Sequence, residues 1–403
     1  MTLHGPDEPV FLPLGFQWAA TKAGIKASGR TDVALAEAPL GASAAAMFTR
    51  NRVAAAPVEV GRAHLRKSKG RVRAVLVNSG NANCATGAPG IAVAEQSCAA
   101  LGAALEAAPQ FIIPSSTGII GVPLPVEKLV AAVPAVVAAR AGDTDALKAF
   151  ATAIMTTDTR MKLATAQFAV GKKTVRIAGV CKGSGMIHPN MATMLVYLFT
   201  DLDAEPKDLQ GLLKAAVDTT FHAISVDGDT STNDTVLLMA SGASKVKLAS
   251  GAAKRFAEAL RGVCGSLAEQ IVRDGEGANH LVRLRISGAK SVNEARTIAC
   301  SIANSPLVKT AWAGCDPNWG RILSSVGKSG VAVDPAKINI YFGAQQLCKG
   351  GVAHPFDEKQ AHEYLKQPEY EIRVELGRGK SSLEFLTCDL TVEYVHINAD
   401  YST

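Results

Sequence analysis

Residues 182–201 read KGSGMIHPNMATMLVYLFTD, a Gly-rich polar turn carrying Pro189 that runs straight into an apolar stretch from Met194 to Phe199. The stretch is short, and Val196, Tyr197 and Phe199 favour a pleated surface, so it reads as a buried strand entered from a loop. A buried strand needs neighbours. Period-2 alternation and flanking turn residues predict further strands at Val72–Asn78, Phe111–Ile113, Val175–Val180, Thr235–Ala240, Leu281–Ser287, Ile338–Phe342, Glu371–Leu376 and Leu383–His396. In the run from Leu281, residues Val282, Leu284 and Ile286 share one face and Arg283 and Arg285 the other, as in a sheet covered on one side. Helices are expected at Gly90–Ala107, Val126–Ala139, Asp145–Met155, Lys207–Phe221, Ala252–Arg261 and Val292–Ala303, the last opened by a Ser291/Glu294 capping box. Strands are not followed one by one by crossover helices, so an α+β fold with mixed sheets is favoured over a doubly wound one.

The chain has 403 residues, 48% of them hydrophobic and 19% charged, with 42 Lys+Arg against 36 Asp+Glu for a formal charge of +6. That length suits about two or three domains with dry cores, and the low charge content excludes a disordered chain. The longest apolar run, Leu129 to Ala139, is interrupted by Pro134 and falls short of the ~20 residues of a spanning helix. The start, MTLHGPDEPV, shows no secretory signal, so a cytoplasmic location is expected. Basic residues are scattered, which argues against nucleic-acid binding and leaves small anionic substrates. Eight cysteines show neither CxxC pairs nor zinc spacing with histidine, so buried thiols are expected and no metal site.

Familiar motifs fail on inspection. Gly327-Lys328-Ser329 and Gly379-Lys380-Ser381 end like a phosphate-binding loop, but Ile322 and Val374 stand where its first Gly is required. Gly183-Ser184-Gly185 has His188 in place of the third Gly of a dinucleotide fingerprint. Asp227-Gly228-Asp229 opens like a calcium loop, yet Leu238 occupies the position of the twelfth-residue Glu, so a loop capped by Asx turns is the better reading. What remains is the junction Ala192–Thr193. If Thr193 became a chain terminus, by attack of its hydroxyl on the Ala192 carbonyl and hydrolysis of the resulting ester, one residue would hold both nucleophile and base. A free α-amine has a pKa of about 7.7 to 8.0 and can take the proton of its own hydroxyl near neutral pH.

The segment 182–201 closely resembles the self-cleaving motif of the ornithine acetyltransferase family, the bifunctional glutamate N-acetyltransferase/amino-acid acetyltransferase of arginine biosynthesis. The resemblance covers nearly the whole chain, through AGIKASGRTDVAL (23–35), MFTRNRVAAAPV (47–58), VNSGNANCATG (77–87), SSTGIIG (115–121), IMTTDT (154–159), SVDGDTSTNDTVLL (225–238), DPNWGRI (316–322) and HINADYST (396–403). It implies a layered α/β/β/α-type sandwich of the self-processing, N-terminal-nucleophile-like kind. It also implies cleavage between Ala192 and Thr193 into an alpha chain, 1–192, and a beta chain, 193–403, that carries the nucleophile.

Carried over residue by residue, the resemblance makes Thr193 the nucleophile and Thr117 and Gly118 the oxyanion-stabilising pair, donors expected in a turn after a strand. It places Thr156, Lys182, Thr193, Glu276, Asn398 and Thr403 at the substrate, with Thr157 an alternative to Thr156. Lys182 is the cation for an α-carboxylate. Two positions depart from the family pattern: the segment after Asp274 reads EGANH rather than EGATK, and Cys315 stands where Arg is usual. The implied reaction is a double displacement. Thr193 takes the acetyl group of N2-acetylornithine, ornithine leaves, and glutamate removes the acetyl from the ester. No cofactor is implied, and use of acetyl-CoA as a second donor is left open. The implied partners are small-molecule substrates and the two processed chains, as a heterotetramer of two alpha and two beta chains, with no nucleic acid and no membrane. The rival reading is an N-terminal-nucleophile amidohydrolase or aminopeptidase of related fold that passes the acyl group to water.

Overall fold

The computed structural model describes residues 1–188 and 194–400. Among them, nine strands form one sheet: β1 (Thr2–His4), β2 (Gln17–Thr21), β3 (Val33–Phe48), β4 (Arg71–Asn81), β5 (Ile112–Ile119), β6 (Lys162–Val170), β7 (Lys173–Lys182), β8 (Leu195–Thr200) and β9 (Thr235–Ala240). Their order is β1-β6-β7-β8-β9-β3-β4-β5, with β2 added on β3. The long strand β3 folds this sheet over on itself. Its first half, Val33 to Glu37, pairs with β2 and β4, and its second, from Ser43 to Phe48, pairs with β9. The register against β4 breaks between Glu37 and Ala42, where Gly41 takes a positive φ of 82° that a side chain would resist.

Alternation then sorts every strand between an inner and an outer core. Ala34, Ala36, Val75 and Val77 of one leaf meet Leu195, Tyr197, Phe199, Leu237 and Met239 of the other. Trp18 and Phe16 pack on Phe199 with ring centroids 5.5 and 5.3 Å apart, and Phe150 sets its edge on Tyr197 at 5.3 Å. Each of these aromatics is worth about 1.5–3 kcal/mol when fully buried. The opposite parity points outward. Val33, Leu35, Ala74 and Leu76 pack under α1 (Ala56–Lys67), α2 (Gly87–Ala104) and α3 (Val126–Ala138), whereas Val196, Leu198, Val236 and Leu238 pack under α5 (Pro206–Asp218) and α6 (Ser250–Arg273). The intervening helix α4 (Thr144–Ala153) inserts Leu147 and Phe150 into the inner core. The result is the layered α/β/β/α arrangement expected from the sequence.

Six further strands, β10 (Leu281–Ala289), β11 (Asn339–Phe342), β12 (Gln345–Lys349), β13 (Val352–Ala353), β14 (Glu369–Glu375) and β15 (Ser381–Cys388), form a second mixed sheet ordered β13-β12-β11-β14-β10-β15. Helices α7 (Val292–Ala303), α8 (Pro306–Ala313) and α9 (Trp319–Gly327) cover it, with α10 (Glu358–Leu365) beside β14; Val282, Leu284 and Ile286 are buried against Ile298, Ile302 and Trp312. The chain closes with α11 (Val392–Asp400).

Two expectations are corrected. Leu383–His396 is not one strand. β15 stops at Cys388, Asp389 accepts the backbone N–H groups of Asn279 and His280 at 2.9 and 3.0 Å, and Thr391 accepts the N–H of Glu393 at 3.2 Å, so the chain turns and restarts as a helix. Strand β3 was not foreseen either, because VALAEAPLGASAAAMF is Ala-rich and owes its extended form to the ladders on both sides. No helix among the described residues is long and apolar enough to cross a membrane.

Candidate active site

The Ala192–Thr193 junction lies in the chain between β7 and β8, which are adjacent antiparallel strands. Lys182 pairs with Leu195, and Leu195 with Thr235 of the parallel β9, so one row across the sheet carries Lys182 to the starts of two strands. Immediately before Thr235, the Asp234 carboxylate accepts the Met194 N–H at 3.0 Å. Asn233 donates to the carbonyls of Ala82 and Ser116 at 2.7 and 2.9 Å, which ties the start of β9 to the end of β5. The turn before the border is held by Asp227, which accepts the N–H groups of Met186 and Ile187 at 2.6 and 2.9 Å, and of Asp229 at 3.1 Å as an Asx turn. Burial pushes its carboxyl up to about 6 against those bonds.

Thr117 and Gly118 stand just before the last residue of β5, Ile119, and not in a turn beyond a strand; they pair with Ser79 and Gly80 of β4, where the register slips. The strand runs this far because β4 continues beside it. Gly118 has φ of 132°, and a Cβ there would collide with the Gly80 carbonyl carbon, so only Gly lets the two backbones approach. Thr117 is buried, and its hydroxyl has no hydrogen-bond partner among the described residues.

Two lysines lie side by side at the ends of β6 and β7, Lys162 facing Cys181 across the ladder. Lys162 is fully compensated: its ammonium reaches Asp158 at 2.7 Å and Asp274 at 2.6 Å. Burial opposes ionisation of Asp158, yet Lys182 and Lys162 hold its carboxyl down at about 2. Asp158 also accepts the N–H groups of Gly183 and Thr156 at 2.7 and 3.0 Å, and Asp274 accepts that of Thr159 at 3.0 Å. Lys182, only 3% exposed, makes no hydrogen bond or ion pair with any described residue. Burial lowers its pKa, with Asp158, Glu276 and Asp234 pulling the other way. Nearby, Lys26 donates to the carbonyls of Thr31 and Ala153 at 2.9 and 3.1 Å, and burial, aided by Arg30, brings it to about 8.

Glu276 completes this end of the molecule. Its N–H donates to the Ser184 carbonyl at 3.0 Å, its carboxylate lies where a side chain on Gly185 would stand, and Asn398 of α11 donates to it at 2.9 Å. Ser184 in turn shares a hydrogen bond of 2.7 Å with the Thr157 hydroxyl. Thr157 and Glu276 line a cavity of about 740 Å³ with Gly277, His280, Thr391 and Ile397. A buried cation without a hydrogen-bond partner among the described residues, in the electrostatic reach of the Glu276 carboxylate, suits a ligand carrying both an α-carboxylate and an amine. Among the described residues, no group of three or more His, Cys, Asp or Glu is placed to hold a metal ion.

The sequence profile of the ArgJ family matches residues 17–403. The arginine biosynthesis bifunctional protein ArgJ of Bradyrhizobium diazoefficiens is 46% identical over 404 residues, spanning 98% of this chain and 96% of that protein. This chain belongs to the ArgJ family. The ArgJ of Chlorobaculum tepidum is likewise 46% identical, over 98% of this chain and 97% of its own. Among solved structures, the ArgJ chain from Bacillus halodurans matches with 42% identity and a TM-score of 0.50, covering 51% of this chain and 98% of itself. An ornithine acetyltransferase from Mycobacterium tuberculosis, solved with ornithine, matches with 38% identity and a TM-score of 0.43 over 47% of this chain.

In this ArgJ family member, Lys182, Glu276, Asn398 and the backbone of Thr156 come together around the Asp158 network, and Thr117 and Gly118 are tied to the same end through Asn233. Ala192, Thr193 and Thr403 lie outside the described residues. Sequence reasoning gave no role to Lys26, Asp158, Lys162, Asp234 or Asp274. Three of these stand inside quoted segments, Lys26 in 23–35, Asp158 in 154–159 and Asp234 in 225–238, but their partners are set by the fold.

Proposed function

We propose that this ArgJ family enzyme moves the acetyl group of N2-acetylornithine to glutamate, with Thr193 as an amino-terminal nucleophile freed by cleavage of the Ala192–Thr193 bond. The observation that carries this reading is Lys182: a buried ammonium with no hydrogen bond or ion pair among the described residues, in the same row of the sheet as the first residues of β8 and within the electrostatic reach of Glu276. Such a charge is costly unless a ligand anion completes it. Acetylornithine and glutamate share the α-carboxylate it would receive, so both fit one site in turn.

In the first half-reaction the Thr193 hydroxyl attacks the acetyl carbonyl while its α-amine takes the proton. Thr117 and Gly118 stabilise the oxyanion, a donor pair of which either member is worth about 3–4 kcal/mol of activation energy. Ornithine leaves with that proton, and an acetyl ester remains on Thr193. Glutamate then attacks the ester and departs as N-acetylglutamate. Asn398, on a helix laid over Glu276, helps α11 shield the ester from water.

The mature protein would then consist of chains 1–192 and 193–403, held together by the β7–β8 ladder, in a heterotetramer of two of each located in the cytoplasm. That the solved Bacillus halodurans chain corresponds to half of this one is what a divided chain would give. Acetyl-CoA would enter as a second donor to the same threonine.

The test has two arms. Mass spectrometry of the purified protein should show fragments ending at Ala192 and starting at Thr193, and Thr193→Ala should stay whole and inactive; transfer by that variant would refute the role of Thr193. Ornithine release from acetylornithine should require glutamate, and release independent of it would favour the hydrolase.

A further inference from the structure

Apart from the site already described, a cavity of about 680 Å³ is walled by charge. Arg50, just beyond β3, Lys214 and Asp218 on α5, His222 in the 3₁₀ turn Phe221–Ala223 and Arg296 on α7 all line it. Among the described residues of this wall, three Lys and Arg cations stand against one carboxylate, a surplus of two positive charges with the histidines neutral.

The fold leaves several of these groups with capacity to spare. His222 is 4% exposed; its Nδ1 meets Asp218 at 3.1 Å, whereas its Nε2 is buried with no hydrogen-bond partner among the described residues. Arg296 donates to the Asp218 carbonyl at 2.7 Å and to the Asn293 side chain at 3.3 Å, but its Nε is likewise buried and unpartnered. The exposed Arg50 side chain makes no hydrogen bond or ion pair with a described residue. Asp218 is already shared, since Lys214 also holds it at 2.5 Å. A scaffold gains nothing from this arrangement, because orphaned buried nitrogens cost stability and like charges around one space repel.

We propose that this cavity is a phosphate-binding site, in which Arg50 and Arg296 supply the charge and His222 Nε2 a hydrogen bond to a phosphomonoester or pyrophosphate. Charge decides for phosphate over carboxylate. A phosphomonoester carries about −1.5 to −2 near pH 7 and matches the surplus, whereas a carboxylate leaves one cation unmatched. Hydrogen bonding agrees. The Nδ1–H of His222 serves Asp218, so the neutral ring offers a lone pair at Nε2, which a protonated phosphate oxygen can meet and a carboxylate cannot. Burial, aided by Arg296 and Arg50, favours that neutral ring against the pull of Asp218.

Two sources carry this chemistry: the phosphates of a coenzyme A acyl donor, and a free phosphate or nucleotide. The volume suits either. The cavity reaches the end of the segment 182–188 at His188, whose Nδ1 lies 3.0 Å from the Asn304 side-chain nitrogen. The first source would therefore be anchored beside the segment that carries Lys182.

The test is calorimetric titration of the purified full-length protein at low salt with inorganic pyrophosphate, ADP, coenzyme A and, as a dicarboxylate control, succinate. Pyrophosphate should bind saturably, at least about tenfold tighter than succinate, and Arg50→Glu and His222→Phe should each weaken it about tenfold or more. Arg66→Glu, the same reversal at an exposed position of α1 outside this cavity, should weaken it less than about threefold. Coenzyme A binding tighter than ADP, with a raised KM for acetyl-CoA in Arg50→Glu, assigns the site to the acyl donor. Pyrophosphate and ADP binding as tightly as coenzyme A assigns it to a free anion, and either result supports the proposal. No saturable binding, succinate binding as tightly as pyrophosphate, or equal weakening by Arg66→Glu would overturn it. Should His222→Phe not fold, Arg50→Glu, at an exposed position, decides alone. The site does not depend on the reading of Thr193: an uncut chain or an active Thr193→Ala refutes that reading, and only the pyrophosphate titrations bear on this one.

Discussion

On β10 the arginines face outward into a dense set of carboxylates. Arg283 meets Glu269 at 2.8 Å and also Glu369, and Arg285 meets Glu371 and Glu384 at 3.2 and 3.3 Å, with every partner partly in water. At the ends of β6 and β7 two lysines are almost wholly withdrawn from water, one gripped by Asp158 and Asp274 and the other without an ion pair or hydrogen bond among the described residues. In the exposed set each charge keeps much of its hydration, so pairing adds little and losing a pair costs little. In the buried set there is no solvent to share the load, so a satisfied charge is structural and an unsatisfied one is available to a ligand. Pairing, more than the presence of charge, therefore separates scaffold from site.

The strongest way to break this contrast is to change the two buried lysines alike. Lys162→Met strands two carboxylates and should cost about 3–5 kcal/mol of stability, read as a lower urea midpoint. Lys182→Met removes a charge that makes no ion pair with a described residue and keeps Asp158 ionised only through space, so it should cost clearly less stability than Lys162→Met. Transfer should fall roughly 10²-fold in kcat/KM, mostly through KM for glutamate, as a binding contact made equally in ground and transition states is lost. Equal loss of stability in both variants would end the distinction between them.

A smaller effect sharpens the buried side through pH. The Asp158 carboxyl falls from the ordinary 3.8 to about 2 in the fold. A depressed acid contributes stability that is complete above its unfolded value and disappears as the pH drops through the folded one. About 2 kcal/mol should thus be lost between roughly pH 4 and 2. Urea midpoints across that window should show the slope, and Asp158→Asn should lack that part of it.

The sequence made parts of this legible for physical reasons. Strands with clean alternation, such as Leu281–Ser287, were readable because one face is apolar and the other charged, and the border strand because its apolar run is short and β-prone. Strand β3 escaped because alanine carries almost no strand signal, and α11 because Val392, Tyr394 and Val395 resemble a strand until Asp389 and Thr391 redirect the chain. Of the candidate site, Lys182, Thr117, Gly118, Glu276 and Asn398 were named through motifs shared with the family. Lys162 and Asp274 were not, since 112 residues separate them and no local pattern records a long-range ion pair. Asp234 lay in plain view within a quoted segment, but its hold on the Met194 N–H is a property of packing and not of spacing.

The exposed side of the contrast gives the smallest expected change. Arg285 is 46% exposed and its partners Glu371 and Glu384 are 30% and 44% exposed, so Arg285→Ala should shift stability by no more than about 1 kcal/mol, and by less at high salt, where the Debye length shrinks to ~3 Å at 1 M. Acetyl transfer should be unaffected, because β10 presents this residue on the face opposite the buried Leu284 and Ile286, where it meets only Glu371 and Glu384 among the described residues. Arg283, which bridges Glu269 of α6 to Glu369 of β14, should lie at the upper end of the same range. Thermal unfolding of the two Ala variants at low and high salt measures both. A loss from Arg285→Ala comparable to that from Lys162→Met would mean that partial hydration does not blunt these pairs, and that burial is not what distinguishes the two regions.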